Sequence, residues 1–149
     1  MPIDQKERER RSALLRQHLD AENRGDVAAI METFGPEAEM NYNATPFPRQ
    51  AIQAAHEYLG FTQVQGAFGS PQNHIVRESF TDTEVVVEGF LRGAHERDFL
   101  GFKATGRPVE LPFVAFYCFG EDGRLTSERV VMNLGPLHEG YYAAPPGMI

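Results

Sequence analysis

The chain has 149 residues, 42% of them hydrophobic, which suits one globular domain with a sizeable core. Its formal charge of −7 argues against nucleic acid or an anionic membrane surface as partner, since both need clustered Lys and Arg. One cysteine cannot form an internal disulfide, no apolar run approaches the roughly 18 residues of a membrane span, and the N-terminus is charged where a signal peptide is greasy, so the expectation is a cytoplasmic protein.

Residues 4–24 carry a helical pattern. Asp4 can serve as N-cap, the charges of Lys6 to Arg11 fit a solvated surface, and Leu14, Leu15, His18 and Leu19 share one face. Gly25 ends this helix, and Asp26 caps a shorter one through Val27, Ile30, Met31 and Phe34, which Gly35-Pro36 stops. Glu39 to Asn43 alternates as a short strand, with Met40 and Tyr42 on the inner side. Thr45-Pro46-Phe47-Pro48 reads as a turn, with Pro48 placed for the first turn of a third helix. That helix puts Ile52, Ala55, His56 and Leu59 on one face and closes at Gly60; a loop follows over Gln63–Gln72.

The remainder reads as sheet. His74–Phe80 and Thr83–His95 form a hairpin around Thr81-Asp82, and Val109–Phe119 and Leu125–Asn133 form another around Glu121-Asp122-Gly123. Asp98–Gly106 is a loop between them, and residues 136–149, with three prolines, read as an extended C-terminal arm. The prediction is a single domain over 1–149, of class α+β with an antiparallel sheet. The 109–119 strand is apolar on both faces, with Val114, Phe116 and Cys118 opposite Val109, Leu111, Phe113, Ala115 and Tyr117. One face can line a pocket, and the other then asks for cover, most simply a second subunit.

Several short pieces carry a resemblance. Asn23-Arg24-Gly25-Asp26, Gly93-Ala94-His95, Thr105-Gly106-Arg107-Pro108-Val109 and Asp122-Gly123-Arg124-Leu125 occur in an order and spacing that resembles the NTF2-like superfamily, specifically its SnoaL-like (polyketide and ester cyclase) branch, over roughly residues 12–138. The resemblance implies a strongly curved antiparallel sheet wrapped around N-terminal helices, a cone with an apolar cavity, and a homodimer. It implies several activities: cofactor-free cyclases, isomerases, epoxide hydrolases, dehydratases and lyases of lignin-derived diaryl compounds share the fold, alongside proteins that only bind. Fold alone does not choose among them.

Strand parity selects the candidate residues. Counting along the last strand places Leu125, Ser127, Arg129, Val131 and Asn133 on one face. Arg129 within an apolar face suits a carboxylate, phenolate or developing oxyanion, or else a salt bridge to Glu110, Glu128 or Asp98. Asn133 stands where the SnoaL-like branch commonly keeps a catalytic Asp; an amide positions a substrate but cannot serve as general base, and it could equally cap the strand end. By the same resemblance His18 and Tyr42 fall near the oxyanion-binding Tyr and catalytic Asp of ketosteroid isomerases, whose second acid corresponds to Ala115, and all three depart from that pattern. His95, at a strand end, suits proton transfer at a pocket mouth.

The candidate catalytic set is therefore His95, Arg129, Tyr42 and Asn133, with His18, His56, His74, Phe113 and Tyr117 as substrate-contacting residues. His18 and Tyr42 could each instead be satisfied core residues, and His56 and His74 are weaker candidates. No metal is expected, because no pair of histidines has the short fixed spacing of a zinc site and Cys118 stands alone. There is no phosphate-binding glycine loop before a helix and no Gly-x-Ser-x-Gly elbow, so no cofactor is expected. Two readings of function remain. One is a cofactor-independent acid/base enzyme of lyase, cyclase or isomerase type, acting on a small, largely apolar, aromatic molecule such as a polyketide or a lignin-derived diaryl compound. The other is a non-catalytic ligand-binding or dimerisation module.

Overall fold

The computed structural model describes residues 3–141 and 147–148. Helices α1 (Gln5–Asn23), α2 (Val27–Glu32) and α3 (Arg49–Leu59) alternate early with strands β1 (Phe34–Tyr42) and β2 (Thr45–Phe47). Strands β3 (Gln72–Phe80), β4 (Glu84–Ala94), β5 (Pro108–Phe119) and β6 (Leu125–Met132) follow, and then a 3-10 turn over Gly135–Leu137. No helix among the described residues is long and apolar enough to cross a membrane.

The helix limits follow local chemistry. Asp4 accepts a hydrogen bond from the Glu7 backbone N–H at 2.8 Å, and Asp26 accepts one from Ala29 N–H at 3.0 Å, so each short side chain satisfies a donor that its helix leaves free. The break between them needs Gly25, at φ +68° and with its Cα against the Thr62 carbonyl, where a side chain would clash. The proline at 48 precedes α3 in extended geometry, and Gly60 at φ +121° ends it.

The six strands form one sheet in the order β2-β1-β6-β5-β4-β3. It is mixed, whereas hairpin counting predicts an antiparallel one: β6, the last strand, inserts between β5 and β1 and runs parallel to β1, with Met40 opposite Glu128 and Tyr42 opposite Val130. The strand from 34 also starts earlier than predicted. Pro36 lies where the β1–β6 pairing is interrupted between Phe34 and Glu39, so its missing N–H interrupts no ladder bond there. Thr45–Phe47, predicted as a turn, pairs with β1 as a short edge strand.

One irregularity governs the rest. In the β5–β6 ladder Cys118 faces Ser127 but Phe119 faces Leu125, which leaves Thr126 as an extra residue on β6. Such a bulge reverses the side-chain alternation beyond it. Leu125 points into the core, and past the bulge Glu128 and Met132 are the buried residues while Arg129 and Val131 are exposed. The sheet curves into a cone around α1 and α3, with the core running from Leu15 and Ile52 to Val87, Leu111 and Leu125.

Candidate active site

Four buried side chains from three elements meet inside the cone. His18 and Glu22 come from α1, His56 from α3 and Glu128 from β6, and one donor atom from each lies within 4.8 Å of the others. Helical geometry makes the first pair: positions 18 and 22 are one turn apart and share a face with Leu15 and Leu19. The Thr126 bulge makes the last contribution by turning Glu128 inward.

The imidazoles are oriented from behind. His56 Nδ1 lies 2.8 Å from the Ile52 carbonyl, which can only accept, so Nδ1 carries the proton. His18 Nδ1 lies 2.8 Å from Thr33 Oγ1, whose own hydroxyl donates to Ile30 O at 2.6 Å, so this Nδ1 also donates. Both Nε2 atoms are thereby turned toward the carboxylates. His18 Nε2 stands 3.1 Å from Glu22 Oε1 and 3.8 Å from Glu128 Oε1; His56 Nε2 stands 3.2 Å from Glu22 Oε1 and 3.7 Å from Glu128 Oε2. The carboxylates have further anchors. Asn73 Nδ2 donates to Glu22 Oε2 at 2.7 Å, and the Tyr117 hydroxyl donates to Glu128 Oε1 at 3.3 Å.

Satisfaction is incomplete. His18 Nε2 and Glu128 Oε2 are buried without a hydrogen-bond partner, the first because its 3.1 Å approach to Glu22 lacks the alignment of a hydrogen bond. Burial by itself pulls both imidazoles down. The facing carboxylates override it and hold His18 and His56 above the usual histidine range, while the imidazoles pull Glu22 below the usual carboxylate range against its own burial.

Glu22, His56 and Glu128 floor a cavity of about 40 Å³ whose walls include Met40, Tyr42, Leu59, Phe113 and Tyr117, and His18 stands behind them. A second cavity of about 200 Å³ shares Met40, Tyr42 and Leu59 with it and continues between Phe47, Tyr58 and Leu100. Its walls are hydrocarbon and aromatic almost throughout. The two together have the character of a ligand site: apolar walls with a few convergent polar groups.

The predicted residues divide sharply. His56, Tyr42, Phe113 and Tyr117 are brought together around the floor, with His18 behind it in the cluster, the Tyr42 hydroxyl 3.0 Å from Met132 Sδ and its ionisation pushed up by burial. Arg129 is not. Parity counted without a bulge puts it inside; the extra Thr126 puts it on the outer face, where it meets Glu84 at 3.1 Å and covers the Phe116 ring at 5.2 Å. Asn133 is exposed for the same reason and caps the strand end, donating to the Tyr141 hydroxyl at 2.8 Å and accepting from Gly135 N–H at 2.9 Å.

His95, predicted at a pocket mouth, is fully buried beside Phe68 and lines neither cavity. Its backbone carbonyl accepts from Thr105 and Gly106 and so pins the 96–107 loop. His74 is exposed on β3. Of the C-terminal arm, Tyr142, Pro145 and Pro146 lie outside the described residues.

Glu22, Glu128 and Asn73 are the residues that sequence reasoning passed over. Glu22 had a signal: it continues the Leu15–His18–Leu19 face by one more turn, and a carboxylate on a greasy helical face needs a partner. Glu128 had none, because nothing in residues 119–128 announces the bulge.

Comparison with known proteins bears on the container. The family model described as the SnoaL-like domain matches residues 15–128. A protein from Xanthomonas campestris pv. campestris, provisionally named a polyketide cyclase, superposes with a TM-score of 0.75 at 22% identity, over 89% of this chain and 99% of its own. A SnoaL-like protein from Jannaschia sp. CCS1, also provisionally named a polyketide cyclase, gives 0.73 at 20% identity over 91% and 94%. AclR from Streptomyces galilaeus, provisionally named a hydroxylase, gives 0.72 at 21% identity over 85% and 81%. At such identities the likeness concerns the fold. A search of curated proteins gives no match.

Proposed function

The chain belongs to the SnoaL-like domain family, and from that footing we propose that it is a cyclase-type acid/base enzyme for a small, largely apolar organic compound held in the cone. The observation that supports this reading is the convergence of Glu22, His56 and Glu128 on the floor of an apolar-walled cavity, with His18 joined to them from behind. A ketone or ester carbonyl of the substrate enters toward the imidazoles, and its hydrocarbon or aromatic remainder lies along Tyr42, Phe47 and Tyr58. A floor carboxylate takes the proton from the carbon beside that carbonyl, and Glu128 is best placed because its Oε2 has no other partner. The electrons move onto the carbonyl oxygen, which the imidazole side of the cluster holds as an enolate. Attack of the enolate carbon on a second carbonyl closes a ring, and the proton goes to the new alkoxide. The balance is an isomerisation, with no oxidant or reductant required.

Deuterium wash-in from D₂O at the carbon beside the carbonyl tests the first step without waiting for ring closure. Linear poly-β-ketone esters and aryl β-ketoesters are suitable compounds. Glu128→Gln is expected to slow wash-in by about 100-fold or more, and Arg129→Ala to leave it within a few-fold. Wild-type rates in a folded Glu128→Gln protein would sink the reading. A second reading, a binding module, is favoured by the pairing of the four polar groups with one another; compounds that bind the wild type without any wash-in would establish it.

We infer also that the outer face of the sheet closes against a second copy of the chain. Val76 is 68% and Val131 61% exposed there, beside the half-buried Phe90, Val114 and Phe116. A contiguous apolar patch on a soluble domain is the usual mark of an interface.

A further inference from the structure

We propose that His18, Glu22, His56 and Glu128 form a binding site for one divalent transition-metal ion. The distances fit. Metal–ligand bonds of about 2.0–2.1 Å in a tetrahedron separate the ligand atoms by about 3.3 Å. The four Nε2-to-carboxylate separations here are 3.1, 3.2, 3.7 and 3.8 Å. These separations bracket that value, and with one ligand atom from each residue within 4.8 Å of the others, side-chain movement on the order of an ångström would complete the cage.

The outer contacts are those a metal site needs. A ligating imidazole must present a bare nitrogen, and its other N–H is held by an acceptor that fixes the ring. Thr33 does this for His18 and the Ile52 carbonyl for His56. Asn73 and Tyr117 each hold one carboxylate by a hydrogen bond, leaving Glu22 Oε1 and Glu128 Oε2 turned to the imidazoles.

Among the described residues four buried side-chain atoms have no hydrogen-bond partner, and two of them are in this cluster: His18 Nε2, on a residue with 0% exposure, and Glu128 Oε2, on one with 4%. Orphaned buried polar atoms are rare and call for an explanation, a bound ion among them. Two nitrogen and two oxygen ligands suit Zn²⁺, Fe²⁺ or Mn²⁺ better than the oxygen-loving Ca²⁺. The inference shares its site with the proposed enzyme and rests on that reading only for the ion's task. There the ion would take over from the imidazoles the holding of the substrate oxygen, as a Lewis acid.

The test uses the full chain, stripped with a chelator and titrated with Zn²⁺ by calorimetry, then with Co²⁺ as a spectroscopic reporter. One ion per chain is expected, with the intense visible bands of four-coordinate Co²⁺. Asn73→Ala, which removes only an outer contact, is expected to weaken binding about 10- to 100-fold, and Glu22→Gln by more than that. His95→Gln, a buried histidine elsewhere, is expected to bind as the wild type does. Sub-stoichiometric Zn²⁺ binding by the folded wild type would overturn the proposal, as would unchanged affinity in folded Asn73→Ala and Glu22→Gln. Should Glu22→Gln fail to fold by circular dichroism, Asn73→Ala alone decides. Binding without deuterium wash-in upholds the metal site and sinks the enzyme. Wash-in by chelated protein that binds no Zn²⁺ does the reverse.

Discussion

Glu22 ties the buried cluster together. Its Oε1 faces both imidazoles, its Oε2 takes the Asn73 amide, and it is 5% exposed. Breaking a buried ion cluster by removing one member leaves the others charged and unpaired, which costs far more than a surface pair. Glu22→Ala is therefore expected to destabilise the chelated protein by about 3–5 kcal/mol in urea unfolding. Arg129→Ala, whose pair with Glu84 is largely solvated at 44% and 23% exposure, is expected to cost less than about 1 kcal/mol. Equal losses for the two would mean that the buried cluster contributes no more than a solvated pair.

At the scale of elements, much was legible and the failures have one source. The caps at Asp4 and Asp26, the face of α3 and the two long hairpins follow from residue type and period, and the structure has them all. His18 and His56 were legible as polar residues on greasy helical faces. Strand β6 was legible as a strand and illegible in phase: one unpaired residue at Thr126 exchanged Arg129 and Asn133 for Glu128 as the inward groups. Period-2 counting has no means of seeing an insertion that the partner strand defines. Sheet order was hidden for a related reason, because β6 pairs with β1 across most of the chain and no local turn records it. Deletion of Thr126 removes the extra residue and should leave a regular ladder in the same register, with Glu128 still inward opposite Tyr117 and Arg129 still outward. The expected outcome is retained cooperative thermal unfolding; a deletion variant that loses it would show that Thr126 does more than set the phase.

For the whole molecule, the two faces of the sheet have separate tasks. The inner face holds the cavity, and the outer face exposes Val131 beside the half-buried Val114 and Phe116, the patch proposed to meet a second copy. Val131→Glu, well away from the ion cluster, is expected to convert a dimer to a monomer in sedimentation velocity while leaving Zn²⁺ binding intact. A wild type that sediments as a monomer at all concentrations would remove the dimer from consideration.

The parallel pairing of β6 with β1 also orders events in time. Residues 18, 22 and 56 can approach one another once α1 and α3 pack, but Glu128 joins only when the last strand slots between β1 and β5. Contacts of such long sequence separation form late and slowly. A growing or partly folded chain therefore carries two histidines and one carboxylate, an incomplete cage. The proposed ion would therefore act as a seal on completed folding, holding in place the strand that joins β1 to β5.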